Sequence, residues 1–426
     1  LLNVGILKVQ NSDACSESGF ACDFLDVNEL GKPKAQPEGA IPALEVGTLA
    51  DPIPAQFTAR IRLHYLEGMD KDDAPALACC SARMDFHGAQ MNRTWVELGA
   101  DVKQGDTTVE LAEAVTGWRV GDEVIVTNCD HEANIGCWVE LQNQGIVVKT
   151  WQLNPTTLTL ELSDLEPLLT PRTRLVAVTH TSNVLGTINP IRAIADLVHA
   201  HGAIICVDGV AYAPHRLVDV QALDVDFYAF SFYKVYGPHY AVLYGKRELL
   251  LAMPGINHFF IGDTNIPYKF QPGNVNFELS YGLIGLVDYL SDLARHHYGD
   301  RTAPNLRGQL VQAFELIAQH EQVLSDRLLS YLRTKPNVQI IGNSQADQTL
   351  RVPTIAFVVD GIDSATIPAK IDPYQIGIRY GDFYAKRLIQ DLNLADRNGV
   401  VRVSMVHYNT VAEVDRLVQY LEPILG

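Results

Sequence analysis

Two hydrophobic patterns divide the chain. Over residues 41–127, apolar and polar positions alternate in short runs such as ARIRLHYL (59–66), RTWVELGA (93–100) and TTVELAEAV (107–115). Period-two alternation predicts half-buried β-strands. Turn formers at Asp51-Pro52, Gly88, Gly99, Gln104-Gly105-Asp106 and Gly117 separate the runs. After Asn128 the runs become short and largely apolar: GIVVKTW (145–151), RLVAVTH (174–180), AIICVD (203–208), DFYAFS (226–231) and YAVLYG (240–245). Helix-spaced segments lie between them, ANIGCWVELQNQ (133–144) and PIRAIADLVHAHG (190–202). Apolar strands alternating with helices predict a mostly parallel sheet covered on both faces, an α/β architecture.

Helical spacing then continues over residues 279–333 as one long stretch. Beyond it, VQIIG, TIAFVV and VVRVSM read as strands, and residues 365–371 and 411–425 as helices, the mixture of a smaller α+β domain. The expected organisation is a poorly defined segment (1–40), a β-rich module (41–127), a large α/β domain (128–300) and a small C-terminal domain (301–426).

Composition narrows the function. With 33 Lys+Arg against 50 Asp+Glu, the 426-residue chain carries a net charge of −17. Such a surface repels phosphate backbones and anionic membranes, so neither is an expected partner. No run approaches the ~18 uncharged apolar residues of a membrane span. The start of the chain has no basic segment leading into an apolar core, and seven irregularly spaced cysteines do not form a disulfide framework. A reducing, cytoplasmic setting is expected.

Four segments place chemical groups at strand ends, where open α/β sheets bind ligands. NCDHEANIGCW (128–138) carries His131, THTSNVLGTINP (179–190) carries Asn183, CVDGVAYAPH (206–215) carries Asp208, and SFYKVYGPHY (231–240) carries Lys234. Singly, these are ordinary cap, turn and surface residues. As an ordered set they suggest pyridoxal phosphate chemistry. A buried lysine can form a Schiff base with the cofactor aldehyde. A carboxylate on the pyridine nitrogen makes the ring an electron sink, an imidazole can stack on it, and an asparagine can donate to its phenolic oxygen. No metal is expected.

On these motifs, residues 122–426 resemble the class V aminotransferase and cysteine desulfurase family, within the fold-type I pyridoxal phosphate enzymes. The resemblance implies a seven-strand type of sheet. It also implies that His131 stacks on the cofactor ring, that Asn183 and Asp208 hold it, and that Lys234 is the aldimine lysine. Ser231 and Tyr233 match positions that touch the phosphate, Tyr233 standing where the family usually has His. Arg402, in VRVSMVHYNT, matches the arginine that grips the carboxylate of a small amino-acid substrate, a bidentate task suited to guanidinium. Arg379, in GIRYGDFYAKR, matches a second substrate-contacting arginine. Gln271-Pro272-Gly273-Asn274 matches a loop that reaches the neighbouring subunit's phosphate, which implies a homodimer with Asn274 in its partner's site.

Three departures qualify that picture. Group II desulfurases have a nucleophilic cysteine where the alignment puts Tyr384, and no cysteine follows Cys206. A phenol cannot replace a thiolate in persulfide formation, so a desulfurase-like enzyme without that cysteine is the closer match. Cys129 and Cys137 are expected to be small apolar fillers. The glutamine that usually follows the aspartate by three residues is Ala211. Finally, no Gly-Thr-Thr phosphate loop opening a helix precedes Asn128. Gly105-Asp106-Thr107-Thr108 shares letters with it but lies between alternating runs, as a hairpin turn would.

Residues 41–127 instead resemble the eight-glycine β domain of extracellular proteins. EVGTLADPIP (45–54), ARMDFHG (82–88) and GDTTVELAEAVTGWRVGDEVIVT (105–127) carry that likeness. The two resemblances meet at GDEVIVT (121–127), which suggests a chimera with an impaired cofactor site. The alternative function is a glycan- or protein-binding β module attached to a catalytically dead scaffold.

Overall fold

The computed structural model describes residues 121–426 apart from 256–257 and 272, with three short strands earlier in the chain. The chain divides into two compact units, Leu1–Val120 and Gly121–Gly426. In the first, β1 (Lys8–Val9) runs antiparallel to β2 (Ala43–Val46), which is parallel to β3 (Arg83–Phe86). β3 falls within ARMDFHG. The alternating runs at 59–66, 93–100 and 107–115, and the turn at 105–108, lie outside the described residues.

The second unit opens with β4 (Glu123–Thr127) and α1 (Glu132–Val139), then β5 (Val147–Trp151), α2 (Leu162–Leu165) and β6 (Thr173–Thr179). It continues through α3 (Ile191–Ala200), β7 (Ile204–Asp208), α4 (Val220–Leu223), β8 (Phe227–Ser231) and β9 (Ala241–Gly245). These strands form one sheet in the order β5-β4-β6-β7-β8-β9. Every pair is parallel except β8 with β9. The described sheet thus has six strands rather than seven, and β9 is an edge. β4 is buried along its whole length, as a parallel strand covered on both faces must be. Its one carboxylate, Glu123, is held by Lys149 at 2.6 Å and Arg172 at 2.8 Å. Ile194 and Val198 of α3 pack with Val176, Val178, Ile205 and Val207 of the sheet in the main core.

After α5 (Arg247–Ala252), the expected continuous helix over 279–333 is two helices, α6 (Phe277–Tyr298) and α7 (Leu306–Leu332). Gly299, at φ +54°, ends the first, and the Asn305 side chain caps the second by accepting from Gly308 N–H. β10 (Val338–Ile341), β11 (Thr354–Val359), α8 (Thr366–Ile371), β12 (Arg379–Gly381), α9 (Lys386–Asp391), β13 (Val400–Ser404) and α10 (Val411–Leu425) follow. Their strands make an antiparallel sheet in the order β10-β11-β13-β12. α10 begins in a Thr410–Glu413 capping box and buries Val414, Leu417, Leu421 and Leu425. Each of those side chains contributes about 2 kcal/mol by leaving water. Among the described residues no helix is long and apolar enough to cross a membrane.

Candidate active site

β4, β6, β7 and β8 point the same way, so the turns at their C-terminal ends share one edge of the sheet. The four candidates sit in those turns: His131 after β4, Asn183 after β6, Asp208 closing β7, and Lys234 ending the one-turn helix Phe232–Lys234 after β8.

His131 is the N-cap of α1, and its Nδ1 accepts from Ala133 N–H at 3.0 Å. That bond places the proton of the neutral ring on Nε2. Burial and the positive charge of Lys234 lower its pKa, against the charges of Asp208 and Glu132. Its ring stacks on Tyr384, with centroids 5.2 Å apart and planes at 28°. Burial raises the pKa of Asp208, while the Val210 N–H (2.8 Å) and the charges of His131 and Lys234 pull it back. His131 and Asp208 thus feel each other's charge and that of Lys234.

Asn183 donates from Nδ2 to the carbonyl of Phe383 at 2.7 Å, and its own backbone carbonyl accepts from Arg402 Nη1 at 2.9 Å. The Arg402 guanidinium lies over the Phe383 ring, 3.8 Å from its centroid, and burial lowers its pKa to about 10. Two buried polar atoms here, Asn183 Oδ1 and Arg402 Nε, have no partner among the described residues. Such orphans carry a desolvation cost that a bound ligand would offset.

The remaining candidates are less enclosed. Ser231 closes β8 opposite Ala241. Tyr233 is 47% exposed, its ring beside His239 and 5.8 Å from Lys234 Nζ. Lys234 is exposed, contrary to the buried lysine expected from its chemistry. It sits beside the β9 edge, where Ala241, Val242 and Leu243 are also exposed. Arg379 is the register partner of Arg402, but its side chain is exposed and bonds back to the carbonyl of Ile378 at 3.0 Å. Asn274 is exposed ahead of α6.

Of the cysteines near the site, Cys129 is buried beside the Thr127 hydroxyl, and burial pushes its thiol pKa far up. Burial pushes Cys206 up to about 12. Cys137 is on the exposed face of α1, not an apolar filler.

Several residues were missed from the sequence. Asp130, one position before His131, is buried with its carboxyl bonded to Thr127 and Asn134. His180 stacks on Tyr212 at 3.5 Å and bonds Tyr228 Oη through Nδ1 at 2.9 Å, and burial holds its pKa down at about 3. Gly209 lets the chain pass that Tyr228 ring: a Cβ there would lie 2.1 Å from it. Only the D-G pair hinted at this close approach.

The carboxylate, neutral imidazole and amine suit the pyridine end of pyridoxal phosphate. The amide fits less well than the sequence implied, because its Nδ2 donates to Phe383 and its unsatisfied atom is the acceptor Oδ1. Among the described residues no glycine-rich loop opens a helix to cradle the phosphate.

The aminotransferase class-V family matches residues 106–417. That match begins inside the run 105–127 read above as part of the β module. An aminotransferase-like protein of Gibberella zeae is 42% identical over 311 residues, covering 72% of this chain and 73% of that protein. A cysteine desulfurase-like protein of Aspergillus flavus is 38% identical over 316 residues, covering 71% of this chain and 67% of that protein. The crystal structure of a cysteine desulfurase from Escherichia coli superposes with a TM-score of 0.60 at 30% identity, covering 72% of each chain.

Proposed function

Because the chain belongs to the aminotransferase class-V family, we propose that it is a pyridoxal-phosphate-dependent enzyme acting on a small amino acid. Enzymes of this family use that cofactor, which when bound supplies an electron sink for charge developing at the substrate α-carbon. The observation that carries the proposal is the gathering of His131, Asn183, Asp208 and Lys234 at one sheet edge, with two unpartnered buried polar atoms beside them.

The roles follow from chemistry. Asp208, beside His131 and Lys234, would hold the pyridine nitrogen. His131, neutral and fixed by its bond to Ala133, offers a flat face to the ring. Asn183 lines the ring's polar edge. Lys234 Nζ would hold the cofactor through its aldehyde and would carry a proton to or from the substrate α-carbon. Arg402 takes the substrate carboxylate through its free Nε. Ser231 and Tyr233 stand at the phosphate end, and Arg379 at the rim. Tyr384 in place of a thiol makes sulfur transfer to the protein an unsuitable outcome. A homodimer in which Asn274 reaches the partner's phosphate, a cytoplasmic setting and a fused β-rich segment complete the proposal.

A catalytically dead scaffold joined to a binding module is favoured instead by one observation, the exposure of Lys234 beside an open strand edge. Incubation with pyridoxal phosphate, borohydride reduction and peptide mapping separate the two. A pyridoxyl adduct on the Lys234 peptide, abolished by Lys234→Ala, supports the enzyme. Equal or absent labelling in both proteins overturns it in favour of the scaffold.

A further inference from the structure

Three candidate residues share contacts with one dipeptide, Phe383–Tyr384. The Phe383 carbonyl accepts from Asn183 Nδ2 at 2.7 Å, its ring lies under the Arg402 guanidinium at 3.8 Å, and Arg402 Nη1 closes the triangle on the Asn183 carbonyl at 2.9 Å. Tyr384 stacks on His131, and its carbonyl accepts from Glu132 N–H at 2.8 Å. On the other side of the turn, Arg387 pairs with Glu132 at 2.9 Å.

The backbone there is strained: Phe383 has φ +52° and Tyr384 φ +63°, left-handed values that residues with a Cβ rarely adopt. Glycine at either position would remove the strain, yet both carry aromatic rings. In this conformation one residue gives its carbonyl to Asn183 and its ring face to Arg402. An aromatic face attracts a guanidinium through its quadrupole and matches its plane. An aliphatic side chain would fill the same space without orienting the charge. With Nη1 bound to Asn183 and the ring beneath, the buried Nε is left for a ligand.

We propose that Phe383 is a positioning residue: it fixes Arg402 so that the Nε edge meets the substrate carboxylate, and it ties that arginine to the cofactor edge lined by Asn183. The proposal rests on the cofactor reading above and adds a residue that touches neither substrate nor cofactor.

Two stable probes test it, phosphopyridoxyl-L-alanine and phosphopyridoxyl-ethylamine, which differ only in the carboxylate. Their affinities are measured by titration calorimetry on the full chain. The wild-type protein should prefer the carboxylate-bearing probe. Phe383→Leu should reduce that preference about tenfold while leaving ethylamine-probe affinity unchanged, and Phe383→Tyr should keep the wild-type preference. An undiminished preference in Phe383→Leu overturns the positioning role, as does an equal loss of both probes, which marks a merely structural residue. If the wild-type protein binds neither probe, the cofactor reading itself fails and the proposal falls with it.

Discussion

Burial, reinforced by the negative charge of Asp208, raises the Asp130 carboxyl to about 7, against hydrogen bonds from Thr127 and Asn134. A carboxyl with an ordinary pKa of 3.8 in the unfolded chain therefore keeps its proton to near neutrality in the folded one. The folded state binds the extra proton between those values, so this group's stabilisation is present at low pH and is lost as pH rises through about 7. Wild-type protein should lose more stability between pH ~5 and ~8 than Asp130→Asn does. Urea midpoints at the two pH values give the comparison, and equal losses would show that Asp130 is ionised throughout.

Gly209 follows Asp208 where the chain passes the Tyr228 ring, and an added Cβ would lie 2.1 to 2.3 Å from three of its atoms. Tyr228 cannot retreat, because its hydroxyl is bonded to His180 and it is buried. Gly209→Ala should cost about 2 kcal/mol or more, read as a lowered urea midpoint. Tyr228→Phe/Gly209→Ala should recover little, because removing the hydroxyl, 2.3 Å from that Cβ, still leaves two ring carbons at 2.1 and 2.2 Å.

Glu321 of α7 is fully buried, with Oε1 2.8 Å from His215 Nδ1 and Oε2 2.8 Å from Arg216 Nη1. Removing the carboxylate leaves an almost buried guanidinium unpaired. Glu321→Ala should destabilise the chain by about 3 kcal/mol, and Glu321→Gln by less. Thermal unfolding in the two variants orders them, and the reverse order would show that the charge is dispensable.

Strands of the large sheet were legible where they form apolar runs, as in TRLVAVT, whereas EVIVT was read as the end of the β-rich module and is a strand of the large sheet. The ordered candidates were legible for a related reason: each stands at or just past the end of a strand. The break between α6 and α7 was written in Gly299 and Pro304, but apolar spacing continues across it and hides the interruption. β12 could not be read, since its three residues, Arg379–Gly381, become a strand only by pairing with β13. Phe383 and Asp130 were invisible for a deeper cause. One acts through a backbone angle and the other through its burial, and neither leaves a mark in residue type or spacing.

β9 combines an unpaired side, among the described residues, with exposed Val242 and Leu243. An exposed apolar strand edge is a template for pairing with any extended chain. Self-association through this edge would bring a second strand up beside Lys234. A charged side chain at Leu243 would guard that edge, as lysines do on the rims of many natural sheets.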